Sequence, residues 1–431
     1  MIEQIRKRLT ISCRPNTKHP IPNTYFPIHY LRARNPRSGN TPMKLLWLAP
    51  FPYAPRATAA HPAPWLAALA RALAAQPGVQ LTVLNCESGL PTAEEHYADQ
   101  GIEFVFLNSP SPRFDILTLY ARRVALLRRW LRQHQHAFDV LHVHGSEYQF
   151  PAATAGLNRP VLLSVQGLLS ECVKCLPAGP SWRRALWTLG GYYERRYLPL
   201  VQEFSCRTSW DKAHAARFNP LARIHHNWEM LRPAFFGAAP RPAAAAPRAV
   251  PQILFMGGTQ LMKGFRETMR AFDLLRAKMP ARLVIVGDSV PAQLAAYLKA
   301  NPPRNYNPGL ALDLRRYQDT EQLVSLFRQS LCLLHPSYLD NSPNSICEAQ
   351  VAGLPVVASA VGGVGSLIET DQTGLISSLE PPELARQVLR LHTDPGLSRR
   401  LAAQAQAVAE ARHEPAVILR QALAIYEKIQ S

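Results

Sequence analysis

The sequence predicts an α/β protein made of two doubly wound, parallel-sheet domains. Its 431 residues are enough for two domains of ordinary size, each with a core of its own. Short apolar runs alternate with segments of helical periodicity along both halves, which is typical of parallel sheets covered by helices. A proline- and alanine-rich stretch, residues 233–250, separates the halves. We therefore expect an N-terminal domain at residues 43–232, a linker at 233–250 and a C-terminal domain at 251–431.

Residues 1–42 form a basic leader before the first predicted strand. The leader carries eight Lys and Arg residues against one acidic residue, Glu3, a net charge of +7 out of +18 for the chain. Its prolines and lack of periodicity predict disorder, or an upstream extension before a natural start near Met43. The N-terminus lacks the apolar core of a signal peptide, and Gly353 and Pro355 interrupt the uncharged run at residues 349–368. We therefore expect a cytoplasmic location.

Five apolar runs predict strands in the first domain, at residues 44–49, 81–84, 104–107, 138–144 and 161–166. Open parallel sheets bind ligands at the carboxyl ends of their strands. His144 and Gln166 end two of these runs, and each is followed by a glycine, so we expect both side chains to line a cleft. The alternatives are a purely structural role for His144 and an ordinary loop position for Gln166.

Two segments of the first domain combine basic and aromatic residues. Residues 115–132 predict an amphipathic helix whose polar face carries Arg122, Arg123, Arg128, Arg129 and Arg132, and residues 182–197 repeat this composition. Such helices can pack on their own sheet, or they can dock on an anionic membrane surface near a lipid-linked acceptor.

Residues 331–377 carry the chemistry of the second domain. An apolar run at 331–334 predicts a buried strand, and a polar loop leads into a helix with Ser342 as its cap and Pro343 at its first position. The free amides of such a helix start, at Asn344, Ser345 and Ile346, attract phosphate.

Two carboxylates, Asp340 and Glu348, flank that helix start with seven residues between them. A carboxylate has enough acceptor sites for both hydroxyls of a ribose. The spacing therefore suggests a pocket for the ribose and diphosphate of a nucleotide. The alternative is that both carboxylates face water on a solvated helix.

The second domain opens with a further strand, residues 253–256, followed by Gly257 and Gly258. Glycines at this point allow a ligand to approach the backbone closely. Lys263 lies near the start of the next helix, where its ammonium group can neutralise a diphosphate or simply be solvated.

The segment from Glu348 to Ser359, with Gly362 and Gly363, reads EAQVAGLPVVAS…GG. It resembles the donor-binding signature of the family-four retaining glycosyltransferases, EAxxxGxPVVASxxGG, with Asp340 where the family has its first glutamate. The resemblance implies the GT-B fold, in which two Rossmann-like domains face each other across a cleft and the last helix often crosses back to the first domain. It also implies a nucleotide-sugar donor.

Site roles follow from this resemblance. Glu348 would hold the ribose, Asp340 the hydroxyls of the donor sugar, and Lys263 the diphosphate together with the amides at Asn344, Ser345 and Ile346. Gly258 stands where the family usually has an arginine, and Gln166 stands where many relatives have a histidine that contacts the donor sugar. Because glutamine does not titrate, Gln166 would position the sugar without exchanging protons.

Arg207 belongs to a segment that resembles the end of the first domain in a subset of the same family. Its side chain could face the donor phosphates or pair with Asp211, and we favour the pair. Arg315, Arg316 and Tyr317 are candidates for contact with the nucleobase.

The predicted function is transfer of a sugar, of hexose type, from a nucleotide-sugar donor to a glycan or lipid-linked acceptor, in cell-surface polysaccharide synthesis. The alternatives are a sugar-nucleotide binding protein without transfer activity and a GT-B epimerase or phosphorylase. Nucleic acid is not an expected partner.

No cofactor or metal is expected. The chain contains no Asp-x-Asp pair of the kind that chelates a metal in the other major transferase fold. Its seven cysteines are scattered and are expected to be reduced. Cys172 and Cys175 form a single CxxC without the second pair that a structural zinc site requires.

Overall fold

The computed structural model describes residues 42–53, 64–237 and 250–431. Nearly all of the predicted leader, residues 54–63 and most of the predicted linker lie outside these ranges. The described chain forms two sheets, one of eight strands and one of six, each covered by helices. The predicted fold class, two α/β domains of Rossmann-like architecture, is thereby confirmed.

The first sheet has the strand order β3-β4-β2-β1-β5-β6-β7-β8. All of its neighbouring strands run parallel except the β3–β4 pair at one edge. Its strands are β1 (Met43–Leu48), β2 (Val79–Ser88), β3 (Glu94–Asp99), β4 (Ile102–Ser109), β5 (Val140–His144), β6 (Val161–Ser164), β7 (Glu203–Cys206) and β8 (Arg223–His226).

The second sheet is entirely parallel and has the order β11-β10-β9-β12-β13-β14. Strands β9, β12 and β13 are buried along their whole length, which explains their continuous apolar sequence. Its strands are β9 (Gln252–Phe255), β10 (Arg282–Val286), β11 (Leu312–Arg315), β12 (Cys332–His335), β13 (Val356–Ser359) and β14 (Leu375–Ser377).

Seven helices accompany the first sheet in the described residues, and eight follow the start of the second. The first group is α1 (Pro64–Ala74), α2 (Pro112–Leu117), α3 (Ala121–His134), α4 (Phe150–Thr154), α5 (Leu169–Cys172), α6 (Trp182–Tyr197) and α7 (Ser209–Phe218). The second group is α8 (Phe265–Arg276), α9 (Pro291–Ala300), α10 (Pro308–Ala311), α11 (Thr320–Gln329), α12 (Asn344–Val351), α13 (Pro381–Thr393), α14 (Pro395–Arg412) and α15 (Pro415–Gln430).

The last helix, α15, packs on the first sheet rather than on the second. Its Ala422, Ile425 and Tyr426 share a core with residues of β1 and α1. The Tyr426 hydroxyl accepts a hydrogen bond from the Trp47 indole at 3.1 Å and lies 2.7 Å from Nδ1 of His142. The chain therefore closes by returning to the domain in which it began.

Candidate functional site

The carboxyl ends of the two sheets meet at Asn341, which lies in the loop after β12. Its amide nitrogen donates to the Val165 carbonyl at 3.1 Å and to Asp211 Oδ2 at 3.0 Å, and its Oδ1 accepts from the Thr208 hydroxyl at 2.6 Å. Asn341, Thr208 and Asp211 are all buried. This polar junction brings the loops after β6 and β7 against the loop that carries Asp340.

Lys263 and Asp340, both predicted site residues, are joined directly. Nζ of Lys263 lies 2.6 Å from Oδ2 of Asp340, and Nε2 of the buried His335 lies 3.2 Å from the same oxygen. Burial alone would raise the pKa of Asp340, but the positive charge of Lys263 and the contact with His335 hold it well below its ordinary range. Asp340 is therefore a carboxylate at neutral pH.

Gly264 explains how Lys263 comes so close to Asp340. This glycine has φ of 81°, and a Cβ on it would lie 1.9 Å from the Pro336 carbonyl oxygen. The turn after β9 can therefore press against the loop after β12 only because residue 264 has no side chain.

Gly258, like Gly264, permits two backbone segments to pack closely, whereas the sequence predicted that it would admit a ligand. Its φ is 55°, and a Cβ would lie 2.2 Å from the Asp288 carbonyl oxygen. The close approach that this glycine permits is therefore to the loop after β10, and the space beside it is filled by backbone rather than open to a ligand. An arginine at position 258 would require that loop to move.

Glu348 is buried in α12 and pairs with Arg232. Nε and Nη2 of Arg232 donate to Oε1 of Glu348 at 3.0 and 2.8 Å. Burial raises the pKa of the Glu348 carboxyl, and the Arg232 charge opposes that rise. The alternative in which Glu348 faces water is excluded, because its side chain is only 6% exposed.

Helix α12 begins one residue later than predicted. Pro343, not Ser342, is its N-cap, and no side chain caps the helix. The amide of Ile346 is not free as predicted, because it donates to the Pro343 carbonyl at 3.0 Å. Of the three predicted phosphate-binding amides, those of Asn344 and Ser345 remain at the open first turn.

Arg207 is buried and engages several partners at once. It forms an ion pair with Glu229, its Nε lies 3.8 Å from Asp211 Oδ2, and its Nη1 donates to Gln166 Oε1 at 3.2 Å. The favoured pairing with Asp211 is therefore only the weaker of two ion pairs. Gln166 is held by Arg207 at the end of β6, which fixes the orientation of its amide.

His144 lies in a tightly packed aromatic group. Its ring centroid is 4.2 Å from that of Trp47 and 3.9 Å from that of His142. Neither of its ring nitrogens has a hydrogen-bond partner among the residues that the structure describes. Burial, and then the charges of His142 and Arg207, lower its pKa well below the ordinary value. This neutral, enclosed ring is consistent with the structural alternative for His144.

A cavity of about 40 Å³ lies beside His144, between the first sheet, α1 and α15. Gln166, Arg207 and Asn227 contribute polar groups to its wall. Its volume is enough for an ordered water molecule.

Two glutamates of the first domain were not identified from the sequence. Glu194 of α6 accepts hydrogen bonds from the Ser146 hydroxyl at 2.8 Å and from the amides of Leu169 and Ser170 at 2.7 and 2.8 Å. Glycines 190 and 191 allow this, since a Cβ on Gly190 would lie 2.3 Å from Leu169. Glu194 therefore ties α6 to the loops after β5 and β6.

Glu147 lies in the loop after β5 and accepts a hydrogen bond from the Gly167 amide at 2.9 Å. Burial, and to a lesser degree the charge of Glu194, raises its pKa to about 7. Glu147 could have been predicted from its position, three residues beyond His144 in the loop after a parallel strand. Nothing in the sequence around Glu194, which lies among arginines and tyrosines, indicated its role.

The basic and aromatic segments form a groove between α3 and α6. The groove has a volume of about 550 Å³ and is lined by Arg128, Arg129, Arg132, Tyr193 and Tyr197, among others. Arg123 is partly used within the fold, because its Nε lies 3.3 Å from Asp115. No helix in the described ranges is long and apolar enough to cross a membrane.

Cys172 and Cys175 lie in α5 and the turn after it, and no disulfide joins them. Within the described ranges, no group of three or more His, Cys, Asp and Glu residues is placed to hold a metal ion.

Two family descriptions match most of the described chain. Residues 65–226 match Glycosyltransferase Family 4, and residues 250–394 match Glycosyl transferases group 1. A D-inositol 3-phosphate glycosyltransferase from Streptomyces avermitilis is 31% identical over 209 residues, which are 46% of this chain and 44% of that protein. The homologue from Streptomyces coelicolor is 32% identical over 212 residues, 44% of this chain and 46% of that protein. The chain thus matches less than half the length of these relatives.

Solved structures are similar over nearly the whole chain. Sucrose-phosphate synthase from Thermosynechococcus elongatus superposes with a TM-score of 0.71 at 18% identity, covering 90% of this chain and 99% of that one. Anabaena HepE in complex with UDP-glucose gives 0.61 at 16% identity, covering 90% and 99%. At this identity the likeness establishes the fold. Together with the two family matches, it shows that the chain belongs to the family-four glycosyltransferases of the GT-B fold.

Proposed function

We propose that this chain is a retaining glycosyltransferase that moves a hexose from a nucleotide-sugar donor to a glycan or lipid-linked acceptor. The observation that carries the proposal is the convergence of Lys263, Asp340, Glu348 and the open start of α12 at one edge of the second sheet. That edge faces Gln166 and Glu147 of the first domain through the junction at Asn341.

The charges at this edge suit the departure of a nucleoside diphosphate. An ammonium group has three donors, so Lys263 can keep its bond to Asp340 while it meets a phosphate oxygen. The amides of Asn344 and Ser345 add a second, fixed source of positive potential. As the bond between sugar and phosphate breaks, these groups stabilise the charge that develops on the leaving oxygen.

Asp340 and Gln166 would face the donor sugar from opposite sides. Asp340 remains a carboxylate and can accept hydrogen bonds from sugar hydroxyls, and its negative charge favours a sugar ring that becomes cationic in the transition state. Gln166, held by Arg207, presents an amide whose orientation is already set. Glu348 would accept from the ribose.

We propose that transfer needs no metal, because Lys263 and the helix amides supply the positive charge that a metal would otherwise supply. A binding protein without transfer activity is the second candidate. This second candidate is favoured by Gly258, because the family usually has an arginine at that position. Lys263 is then the one cationic side chain that the family pattern places on the phosphates.

The groove between α3 and α6 supports a peripheral contact with an anionic membrane. Its arginines and tyrosines combine charge attraction with rings suited to the headgroup region. A lipid-linked acceptor would then reach the cleft from that surface, as cell-surface polysaccharide synthesis requires.

A thermal-shift panel of UDP-, ADP-, GDP- and TDP-sugars tests the proposal first. A donor at 100 times its dissociation constant adds about 2.7 kcal/mol of stability. The stabilising donor is then incubated with glycan and lipid acceptors, with and without EDTA, and release of nucleoside diphosphate is measured. Acceptor-dependent release that survives EDTA is expected.

Use of the donor with no acceptor present would indicate an epimerase, and a requirement for free phosphate and a glycoside would indicate a phosphorylase. Stabilisation without turnover would favour the binding protein.

A further inference from the structure

The segment at residues 227–232 joins the two domains and carries two charged side chains that reach in opposite directions. Glu229 pairs with Arg207 at the end of β7 in the first domain. Arg232 pairs with Glu348 in the second domain. All four side chains are largely or wholly buried. This short connector is thereby linked both to the proposed sugar side and to the proposed ribose side of the cleft.

The Arg232 guanidinium is fixed on three sides. Two of its nitrogens donate to Glu348 Oε1, and its Nη1 donates to the Thr320 hydroxyl at 3.2 Å. Its Cζ lies over the Phe235 ring, 4.7 Å from the ring centroid. Phe235 is itself buried and stacked on Phe327 at 5.4 Å. Arg232 therefore presents a rigid, oriented donor rather than a mobile surface charge.

Both hydrogen bonds from Arg232 to Glu348 end on the same carboxylate oxygen. Oε2 of Glu348 accepts no hydrogen bond from the part of the chain that the structure describes. A carboxylate held by one oxygen has a fixed rotamer and keeps the acceptor sites of the other. Glu348 is thus arranged to accept from a ligand hydroxyl through Oε2.

We infer that Arg232 is a positioning residue of the nucleotide site, which holds Glu348 by Oε1 so that Oε2 receives a ribose hydroxyl. The inference rests on the proposed function, since it takes the ligand to be a ribonucleotide. Lysine cannot replace this arginine fully, because a single ammonium group cannot reach both Oε1 and Thr320 in the same plane.

The test compares nucleoside diphosphates with and without the ribose hydroxyls. Calorimetry on the full chain uses UDP, ADP and GDP, and then the 2′,3′-dideoxy form of the tightest binder. Arg232→Lys should weaken the ribose form by roughly ten- to a hundredfold, as expected when a buried charge-assisted contact is lost. The dideoxy form should bind the variant and the parent protein equally, because it does not use Glu348 Oε2.

Two further variants distinguish a loss of the Arg232 contact from a general change in folding. Thr320→Val removes one anchor of Arg232 and leaves the ion pair, so a smaller loss confined to the ribose form is expected. Arg386→Lys is the matched control, because Arg386 also pairs with a glutamate, Glu383, but on the exposed face of α13. It should bind both forms as the parent protein does.

The outcomes separate this inference from the proposed function. If the parent protein binds no diphosphate, both the proposed function and the inference are refuted. If the parent protein prefers the ribose form but Arg232→Lys binds it equally well, only the inference is overturned. An equal loss of both forms in Arg232→Lys would also overturn it, because that pattern marks a general structural role.

Discussion

Glu194→Gln is a perturbation whose size can be worked out from the structure. The carboxylate is 1% exposed and accepts three hydrogen bonds, two on Oε1 and one on Oε2. A glutamine can place its carbonyl oxygen at the Oε1 position and keep the contacts to Ser146 and Leu169 in neutral form. Its amide group would then face the Ser170 N–H, so that two donors oppose each other in a buried site.

The expected loss of stability is about 3 kcal/mol. A hydrogen bond to a charged group contributes about 1.5–3 kcal/mol, and that to Ser170 disappears entirely. The two remaining bonds lose the strengthening that the charge provides. Because Glu194 supports the loops that carry Gln166 and Glu147, turnover should fall more than affinity for a nucleoside diphosphate.

Urea unfolding of the parent protein and of Glu194→Gln at pH 7 measures this loss. Glu383→Gln is the control, because Glu383 contacts Arg386 at the surface and should unfold close to the parent midpoint. A Glu194→Gln protein within about 0.5 kcal/mol of the parent protein would refute the reasoning, since surface substitutions have effects of that size.

Three other predictions concern the sugar, the membrane and pH. Gln166→Ala should slow transfer while nucleoside diphosphate affinity stays nearly unchanged, and loss of a titrating limb from its pH–rate profile would count against a non-titrating role. A charge-reversal variant of α3 replaces Arg122, Arg123, Arg128 and Arg129 by Glu. It should sediment less with anionic vesicles than the parent protein does. Unchanged binding by the variant, or no binding by the parent protein, would contradict membrane docking. Unfolding free energy should fall on balance as pH drops below about 6.5, because three buried histidines with lowered pKa values stay neutral while the unfolded chain takes up protons, at about 1.4 kcal/mol per pH unit for each. Glu147, whose raised pKa acts in the opposite direction, offsets about one of the three. Equal stability at pH 7 and pH 5.5 in urea titrations would contradict this third prediction, which rests on His142, His144 and His413.

The elements that the sequence predicted well are those whose signal is local. Buried parallel strands such as β9 and β12 are continuous apolar runs, and the segment after Glu348 carries a long signature. Strand β3 was missed because it is a mostly polar antiparallel edge strand, EEHYAD, which alternates weakly. Strand β8, RIHH, was missed because three of its four residues are exposed and the segment contains no apolar run.

The contacts that define the site could not be predicted because they join distant positions. Arg232 and Glu348 are 116 residues apart, and Lys263 and Asp340 are 77 apart. Sequence patterns placed Lys263, Asp340 and Glu348 near one edge, but nothing local showed that Lys263 would pair with Asp340. The roles of Gly258 and Gly264 depended likewise on which backbone came close, and only the packed structure shows that.

The central claim is that Glu348 and Lys263 hold a nucleoside diphosphate, at its ribose and its phosphates, in the cleft between the two sheets. Glu348→Ala should weaken binding of that diphosphate by about 1–3 kcal/mol, because ribose hydroxyls would be left unpaired in a partly dry site. Lys263→Ala should lower turnover more than binding, because the phosphate charge that it meets grows as the bond to the sugar breaks.

The most direct measurement is calorimetry of the tightest-binding nucleoside diphosphate against the parent protein and Glu348→Ala. The account predicts binding by the parent protein and an affinity loss of about fivefold to a hundredfold or more in the variant. Parent-like affinity in Glu348→Ala would contradict it.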